Sequence, residues 1–182
     1  MNIIASFKNN SKNSQYMKST TSEYITVKGS SIHNKGIFAK KDIPKGTKVI
    51  EYVGEKITKA QADKIFEGTL EASKKNAVDG SVYIFELNKR YDIDGNVSYN
   101  TARYINHTCD PNCETMNSRG HIWITAIKDI KKGTELSYDY GYCLEDYKEH
   151  PCKCGCSNCA GFIVSEDLRP KLKKLLKKKG LA

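Results

Sequence analysis

No run in this 182-residue chain approaches the roughly 20 apolar residues needed to span a membrane. Met1 to Phe7 is too short an apolar stretch for the core of a secretory signal. An intracellular, reducing setting is the expectation, and there clustered cysteines serve metals more often than disulfides. Charge is missing from the middle of the chain as well. Of the net +9, residues 168–182 contribute seven through Arg169, Lys171, Lys173, Lys174, Lys177, Lys178 and Lys179, with no acid. Lys8, Lys12 and Lys18 against Glu23 add two from residues 1–23, so residues 24–167 are neutral as a body. Any pull on nucleic acid or an acidic partner belongs to the ends.

What is present is mostly short strands, at a length that suits one domain with terminal extensions. Residues 1–22, rich in Asn, Ser, Thr and Lys, lack apolar periodicity and read as an arm. Tyr24–Lys28 alternates as a first strand, Ser30–Gly36 is a polar loop, and Ile37–Ala39 is a short buried strand. Lys48–Val53 follows the turn at Asp42–Gly46. Thr58 and Gln61 form a capping box that opens an amphipathic helix over 59–75, with Ala60, Ile65, Phe66 and Leu70. Ser81–Leu87 and Lys89–Ile93 read as strands joined near Asn88, and His121–Ala126 as another, with Trp123 in the core. From Ser165 a basic amphipathic helix carries Leu168, Leu172, Leu175 and Leu176 on one face. The fold class is mainly β with few helices.

One pattern occurs twice. Ala39-x-Lys41-Asp42-Ile43-x-Lys45-Gly46-Thr47 returns as Ala126-x-Lys128-Asp129-Ile130-x-Lys132-Gly133-Thr134. Each copy sets a lysine-glycine turn before a tyrosine-bearing strand, with Tyr52 after the first and Tyr138 and Tyr140 after the second. That suits a small folded-over β architecture; the plainer reading is two ordinary turns.

Two blocks do not read as scaffold. Arg103 to Cys113 is too polar for a core strand, holds Asn106, His107 and Cys109 close together, and turns at Asp110-Pro111-Asn112. Glu135 to Tyr142 alternates so that Tyr138, Tyr140 and Tyr142 share one strand face. Such a wall, apolar with hydroxyl tips, suits a binding channel. Cys152, Cys154, Cys156 and Cys159 are packed around Gly155 in a knuckle that fits a structural zinc. The segment supplies either all four ligands or three plus one of Cys109, Cys113 or Cys143, and thiolates alone leave an iron–sulfur cluster open.

Together these blocks resemble a SET domain, the catalytic domain of protein-lysine methyltransferases that use S-adenosylmethionine. The resemblance covers residues 24–163. It rests on Lys35-Gly36-Ile37-Phe38-Ala39, Glu51-Tyr52-Val53-Gly54-Glu55, the run Arg103 to Asn112, Glu135-Leu136-Ser137-Tyr138-Asp139-Tyr140 and the cysteine knuckle, which is similar to a post-SET segment. It implies a β-clip fold of short sheets with a knot-like threading of the Asn-His segment beside the Tyr-Asp-Tyr strand. The implied division is a basic arm over 1–23, the SET domain over 24–147, the zinc segment over 148–164 and the basic helix over 165–182. The cofactor would lie against His33, Asn34, Lys35 and Gly36, with Tyr83, Arg103, Asn106 and His107 near it, and Phe162 resembles the aromatic that packs on the adenine. The family's zinc pattern maps onto Cys109, Cys152, Cys154 and Cys159, with Cys156 spare. Asn34 stands where a glycine is usual, and Asn tolerates positive φ. Thr108 replaces the commoner serine, and no cysteine-rich segment precedes Tyr24.

The catalytic residues implied are Tyr140, Tyr138 and Tyr52, walling a channel that joins a peptide groove to the cofactor. Tyr140 orients the amine, and Tyr138 sits where Tyr or Phe tunes product number, which implies mono- or dimethylation. His107 reads as structural rather than as a base, and Tyr142 as packing. The partner is a lysine-containing protein, histone or histone-like, in nucleus or chromatin of its own cell or a host, otherwise in cytoplasm. The basic ends add weak, salt-sensitive contact to nucleic acid. A zinc-stabilised peptide- or nucleoprotein-binding module without turnover is the competing reading, and Tyr140, Asn106 and His107 argue against it.

Overall fold

The computed structural model describes residues 19–75 and 82–180. Most of the arm expected over residues 1–23, and Ser81 at the start of an expected strand, fall outside that range. No helix among the described residues is long and apolar enough to cross a membrane.

Among the described residues, ten short strands make three small sheets. Strand β1 (Ile25–Gly29), expected over Tyr24–Lys28 from its alternation, forms a hairpin with β2 (Lys35–Ala39), which begins two residues before the expected Ile37 and takes in the end of the expected loop. Strand β10 (Glu135–Tyr138) joins β2 antiparallel, and β7 (Asn106–His107) lies parallel to β10, giving the order β1-β2-β10-β7. A second sheet places β9 (His121–Ala126) between β3 (Lys48–Tyr52) and β8 (Cys113–Ser118). In the third, β6 (Tyr91–Asp94) is flanked by β4 (Glu55–Thr58) and β5 (Ile84–Glu86). The three sheets close over Ile37, Ile43, Ile105, Ile124 and Leu136, all fully buried. The Asn-His block reads as too polar for a core strand, yet it contains a buried one. Hydrogen bonds, described below, satisfy its amides and make that burial tolerable.

The repeated pattern pairs with itself. Ile43 and Ile130 face each other in an isolated antiparallel bridge. Ala39 N–H bonds the Thr134 carbonyl at 2.8 Å, and Ala126 N–H bonds the Thr47 carbonyl at 3.0 Å. Asp42 accepts from Lys132 N–H and Asp129 from Lys45 N–H, each at 2.8 Å. Each copy thus does for the other what the other does for it. Gly46 and Gly133, at φ of 84° and 87°, supply the left-handed residue both turns require. This reciprocal clasp delivers β3 and β10, and with them Tyr52 and Tyr138, into one core.

Helix α1 (Lys59–Lys74) begins at the expected capping box. Thr58 N–H bonds Gln61 Oε1 at 2.9 Å and Gln61 N–H bonds Thr58 Oγ1 at 3.3 Å. At the other end of the chain, a single 3₁₀ turn (Glu166–Leu168) leads into α2 (Arg169–Lys178), which starts with Pro170 in its first turn. Leu172 and Leu176 bury against Tyr147, Ala160 and Val164, a small second core beneath the cysteine knuckle.

Close backbone approach is tightest at Gly54, where a Cβ would collide with the Asp94 carbonyl, whereas at Gly29 it would meet nothing within 4 Å. Gly54→Ala is expected to cost about 1–3 kcal/mol, or about 2–12 °C in Tm for a chain of this length. Gly29→Ala should be near neutral, and thermal unfolding by circular dichroism measures both.

Candidate active site

Strand β10 ends at Tyr138, so the expected single strand face for Tyr138, Tyr140 and Tyr142 exists only at its start. The three rings nevertheless run in series, with centroids 4.9 Å and 5.8 Å apart. Tyr140 is held by contacts outside the ladder: its N–H bonds His107 Nδ1 at 3.3 Å and its hydroxyl bonds the Ile105 carbonyl at 3.0 Å. Tyr52 arrives from β3, reaching Tyr138 across Phe85 at centroid spacings of 4.4 Å and 5.7 Å. Its hydroxyl donates to the Tyr83 carbonyl at 2.9 Å, and Gly95 has no side chain because the Tyr52 ring fills that space.

These rings form the aromatic end of a cavity of about 530 Å³. Burial pushes the Tyr52, Tyr138 and Tyr140 hydroxyls well above the usual phenol range, and Tyr142 up to about 12. All four stay neutral at physiological pH and offer hydrogen-bonding oxygens without fixed charge.

The other end is polar. His33, Asn34, Lys35, Arg103, Asn106 and His107 line it. Asn34 takes φ 38°, so the residue in the glycine position does adopt the left-handed turn. Asn106 Nδ2 donates to the Lys35 carbonyl at 3.0 Å and to Glu135 Oε1 at 2.8 Å, and the same oxygen accepts from Ser30 Oγ at 2.7 Å. His107 is buried, with Nε2 3.6 Å from Cys109 Sγ. Burial and the Arg169 guanidinium hold its pKa down to about 4, so the ring is neutral. Arg103 donates to Asn96 and to the Tyr104 hydroxyl, while its Nε is buried without a partner.

A family model described as the SET domain matches residues 34–141. The chain belongs to the SET-domain family. Among curated relatives, it is 34% identical to "Histone-lysine N-methyltransferase 2B" of Homo sapiens over 82% of this chain and 6% of that protein. It is 38% identical to "Histone-lysine N-methyltransferase trr" of Drosophila melanogaster over 84% of this chain and 6% of the relative. Against "Histone-lysine N-methyltransferase, H3 lysine-4 specific" of Saccharomyces cerevisiae the identity is 39% over 74% of this chain and 12% of the relative. The chain therefore spans a small fraction of the length of the relatives it matches.

Seven residues expected near the cofactor, His33, Asn34, Lys35, Tyr83, Arg103, Asn106 and His107, line the cavity of this SET domain. Gly36 lies behind it, where a Cβ would strike the Glu135 carboxylate. Phe162 is not at the wall. It packs edge-on against Tyr147, ring centroids 5.0 Å apart, and its neighbour Ile163 lines the cavity instead. Tyr142, expected to be a packing residue, also lines the cavity and faces the His150 ring at 4.6 Å. Sequence reasoning misses Glu135 and Arg169 as site residues. Glu135 stands in plain view at the head of the tyrosine block, whereas Arg169 counts there only as one of the tail's charges.

The Sγ atoms of Cys109, Cys152, Cys154 and Cys159 all lie within 4.8 Å of one another. A tetrahedral zinc with Zn–S near 2.3 Å needs sulfurs about 3.8 Å apart, and Cys109 and Cys152 stand at 3.9 Å. Burial opposes ionisation of Cys154, but the Cys109 and Cys156 amides and neighbouring thiols outweigh it and bring its pKa to about 6. Cys154 is thus predisposed to carry negative charge, whereas burial pushes the Cys109 thiol up to about 11 and raises Cys152 well above the usual thiol range. Cys156 Sγ lies 3.3 Å from Cys154 Sγ but outside the group of four mutually close thiols, and it donates to Asn158 Oδ1 at 3.0 Å. Cys113 is buried in β8, its thiol pushed up to about 12 by burial, and Cys143 is exposed. The purified protein is expected to hold about one zinc per chain. Cys156→Ser should keep it and Cys159→Ser lose it, as read by elemental analysis after desalting.

Proposed function

We propose that this chain is an S-adenosylmethionine-dependent protein-lysine N-methyltransferase acting on a histone or histone-like lysine. The observation that carries the reading is the meeting of Tyr52, Tyr138 and Tyr140 with the Asn106–His107 strand around one cavity. In this reading residues 24–147 carry the chemistry, 148–164 hold zinc through Cys152, Cys154 and Cys159 together with Cys109 of the preceding segment, and 165–182 form a basic helix. The names of the relatives support the substrate class, and chromatin is the expected place of action.

The cofactor would supply a methyl group on a positively charged sulfur. The polar end of the cavity fits such a molecule: the buried, unpartnered Arg103 Nε is a donor awaiting an acceptor such as a carboxylate. His33, Asn34, Lys35, Asn106 and His107 would complete the cradle, with Gly36 and Phe162 supporting it from behind.

Only a neutral lysine amine has the lone pair that attack requires. Removing its proton at pH 7 costs about 4–5 kcal/mol from a pKa near 10.4, and burial in an apolar channel can lower that pKa by up to about 3–5 units. The rings of Tyr52, Tyr138 and Tyr140 would supply that dry lining, with Phe85 packed against Tyr52 and Tyr138. Tyr140 points its hydroxyl toward the Ile105 carbonyl, so the two oxygens mark the mouth where an amine would be aligned. Tyr138, a buried ring, narrows the space left for added methyls.

Incubation with labelled cofactor and a panel of core histones should yield mono- and dimethyl-lysine by mass spectrometry. Tyr140→Phe should lower kcat on the order of 10²-fold, and Tyr138→Phe should move products toward trimethyl-lysine. A wild type that makes chiefly trimethyl-lysine contradicts the role given to Tyr138.

A second, weaker interaction accompanies the enzyme reading. Lys171, Lys173, Lys174, Lys177, Lys178 and Lys179 are all exposed on or just after α2, and none is in an ion pair among the described residues. Such a lysine face, with no arginine fork free, fits phosphate backbone rather than bases. Changing Lys173, Lys174, Lys177 and Lys178 to Gln should weaken duplex binding and flatten its salt dependence by about 0.9 log units for each phosphate no longer neutralised. Unchanged affinity and slope in a salt titration would remove nucleic acid from the range of partners.

A further inference from the structure

Arg169 opens α2, outside the span matched by the SET-domain model, yet it is among the most buried charged residues of the protein. Its guanidinium uses three nitrogens on three separate segments. Nε donates to the Val164 carbonyl at 3.1 Å, Nη1 to the Cys109 carbonyl at 2.8 Å, and Nη2 to Asp139 Oδ2. Asp139 sits between the two phenols of the channel. Its other oxygen accepts from Gly141 N–H at 3.1 Å and stands 3.7 Å from His107 Nδ1.

We propose that Arg169 is a positioning residue for methyl transfer, acting through Asp139 on the placement of Tyr140 relative to Tyr138. The inference rests on the methyltransferase reading above. Its physical ground is where the sheet ends. Tyr138 is fixed by the ladder of β10 against β7, but the ladder stops there. From Asp139 to Gly141 the backbone amides rely on side-chain partners, Tyr140 N–H on His107 and Gly141 N–H on Asp139, whose other oxygen pairs with Arg169. A backbone bond resumes where the Tyr142 carbonyl accepts from Ser165 N–H at 2.9 Å. A planar guanidinium can serve all three acceptors at fixed angles, whereas lysine has a single nitrogen to offer them. The same group grips the carbonyl of Cys109, so the helix, the thiol cluster and the phenol strand share one clamp. Truncating the clamp leaves Asp139 half-buried without its counter-charge and lets the 139–141 segment relax, while Tyr138 and the peptide-facing surface stay in place.

The test uses full-length, zinc-loaded protein with Arg169→Met, Arg169→Lys and Asp139→Asn. For Arg169→Met we expect kcat to fall about tenfold or more, with KM for the peptide changed less than about threefold and zinc content unchanged. Hydrogen exchange should rise at the Tyr140 and Gly141 amides, which donate to His107 and Asp139, and not in β10 itself. Arg169→Lys should recover part of kcat by restoring the charge, and Asp139→Asn should repeat the Met phenotype. The proposal is overturned if Arg169→Met lowers Tm but leaves kcat per folded molecule and exchange at 140–141 at wild-type values. Should that variant fail to fold, Asp139→Asn decides: wild-type kcat and exchange there sink the idea equally. If wild-type protein methylates no lysine at all, the functional reading fails by itself, and the exchange data still judge the clamp.

Discussion

The site depends on burying a polar segment beside β10, and on every polar group of that segment finding a partner there. Asn106 spends its amide on Lys35 and Glu135. Asn112 donates to the Glu135 carbonyl at 2.7 Å and accepts from Ser137 N–H at 2.9 Å. A buried amide left unpaired costs about 1–3 kcal/mol, so these residues specify their neighbour as well as tolerate it. Because Arg103, Asn106, His107 and Cys109 all belong to this one segment, docking it correctly places the polar end of the cavity, the support for Tyr140 and one thiol of the metal group together. A slip in register would lose all three.

The reciprocal turns perform the complementary task for the apolar half. Two copies of one pattern exchange hydrogen bonds across the Ile43–Ile130 bridge and fix the relative height of β3 and β10. Tyr52 and Tyr138 then meet across Phe85 without any direct bond between their strands. Glycines leave the space this needs: Gly95 beneath the Tyr52 ring, and Gly36 beneath the Glu135 carboxylate that orients Asn106. The phenols are therefore held by packing and by carbonyl acceptors, which keeps them neutral and leaves their oxygens near the cavity.

The C-terminal segment divides its charge between two tasks. Six lysines face solvent, while the seventh cation, Arg169, turns inward at the helix start and is neutralised by Asp139. Buried ion pairs of this kind add little net stability but lose several kcal/mol when one partner is removed, so they act more as locators than as glue. The small core around Leu172 and Leu176 secures the helix, and the helix secures the arginine.

Much of the fold is legible in the sequence. Most strand and helix positions follow from alternation, from the capping box at Thr58 and from the turn glycines, because those signals are local; β4, β7 and β8 are not among the strands that such signals mark. The ordered motifs carry the family, and the knuckle marks a thiol cluster whose fourth member, Cys109, is named by the family pattern. Phe162 against Ile163, the cavity role of Tyr142 and the inward turn of Arg169 are not legible, since nothing in the neighbouring residues distinguishes an aromatic on the wall from one behind it, or a tethered arginine from a solvated one. The amino-acid sequence by itself determined which chemical groups are available and which short elements carry them. Only the tertiary structure decided which of those groups face one another, because cavity walls, ion pairs and phenol contacts join residues distant in the chain, and burial and distance are properties of their meeting.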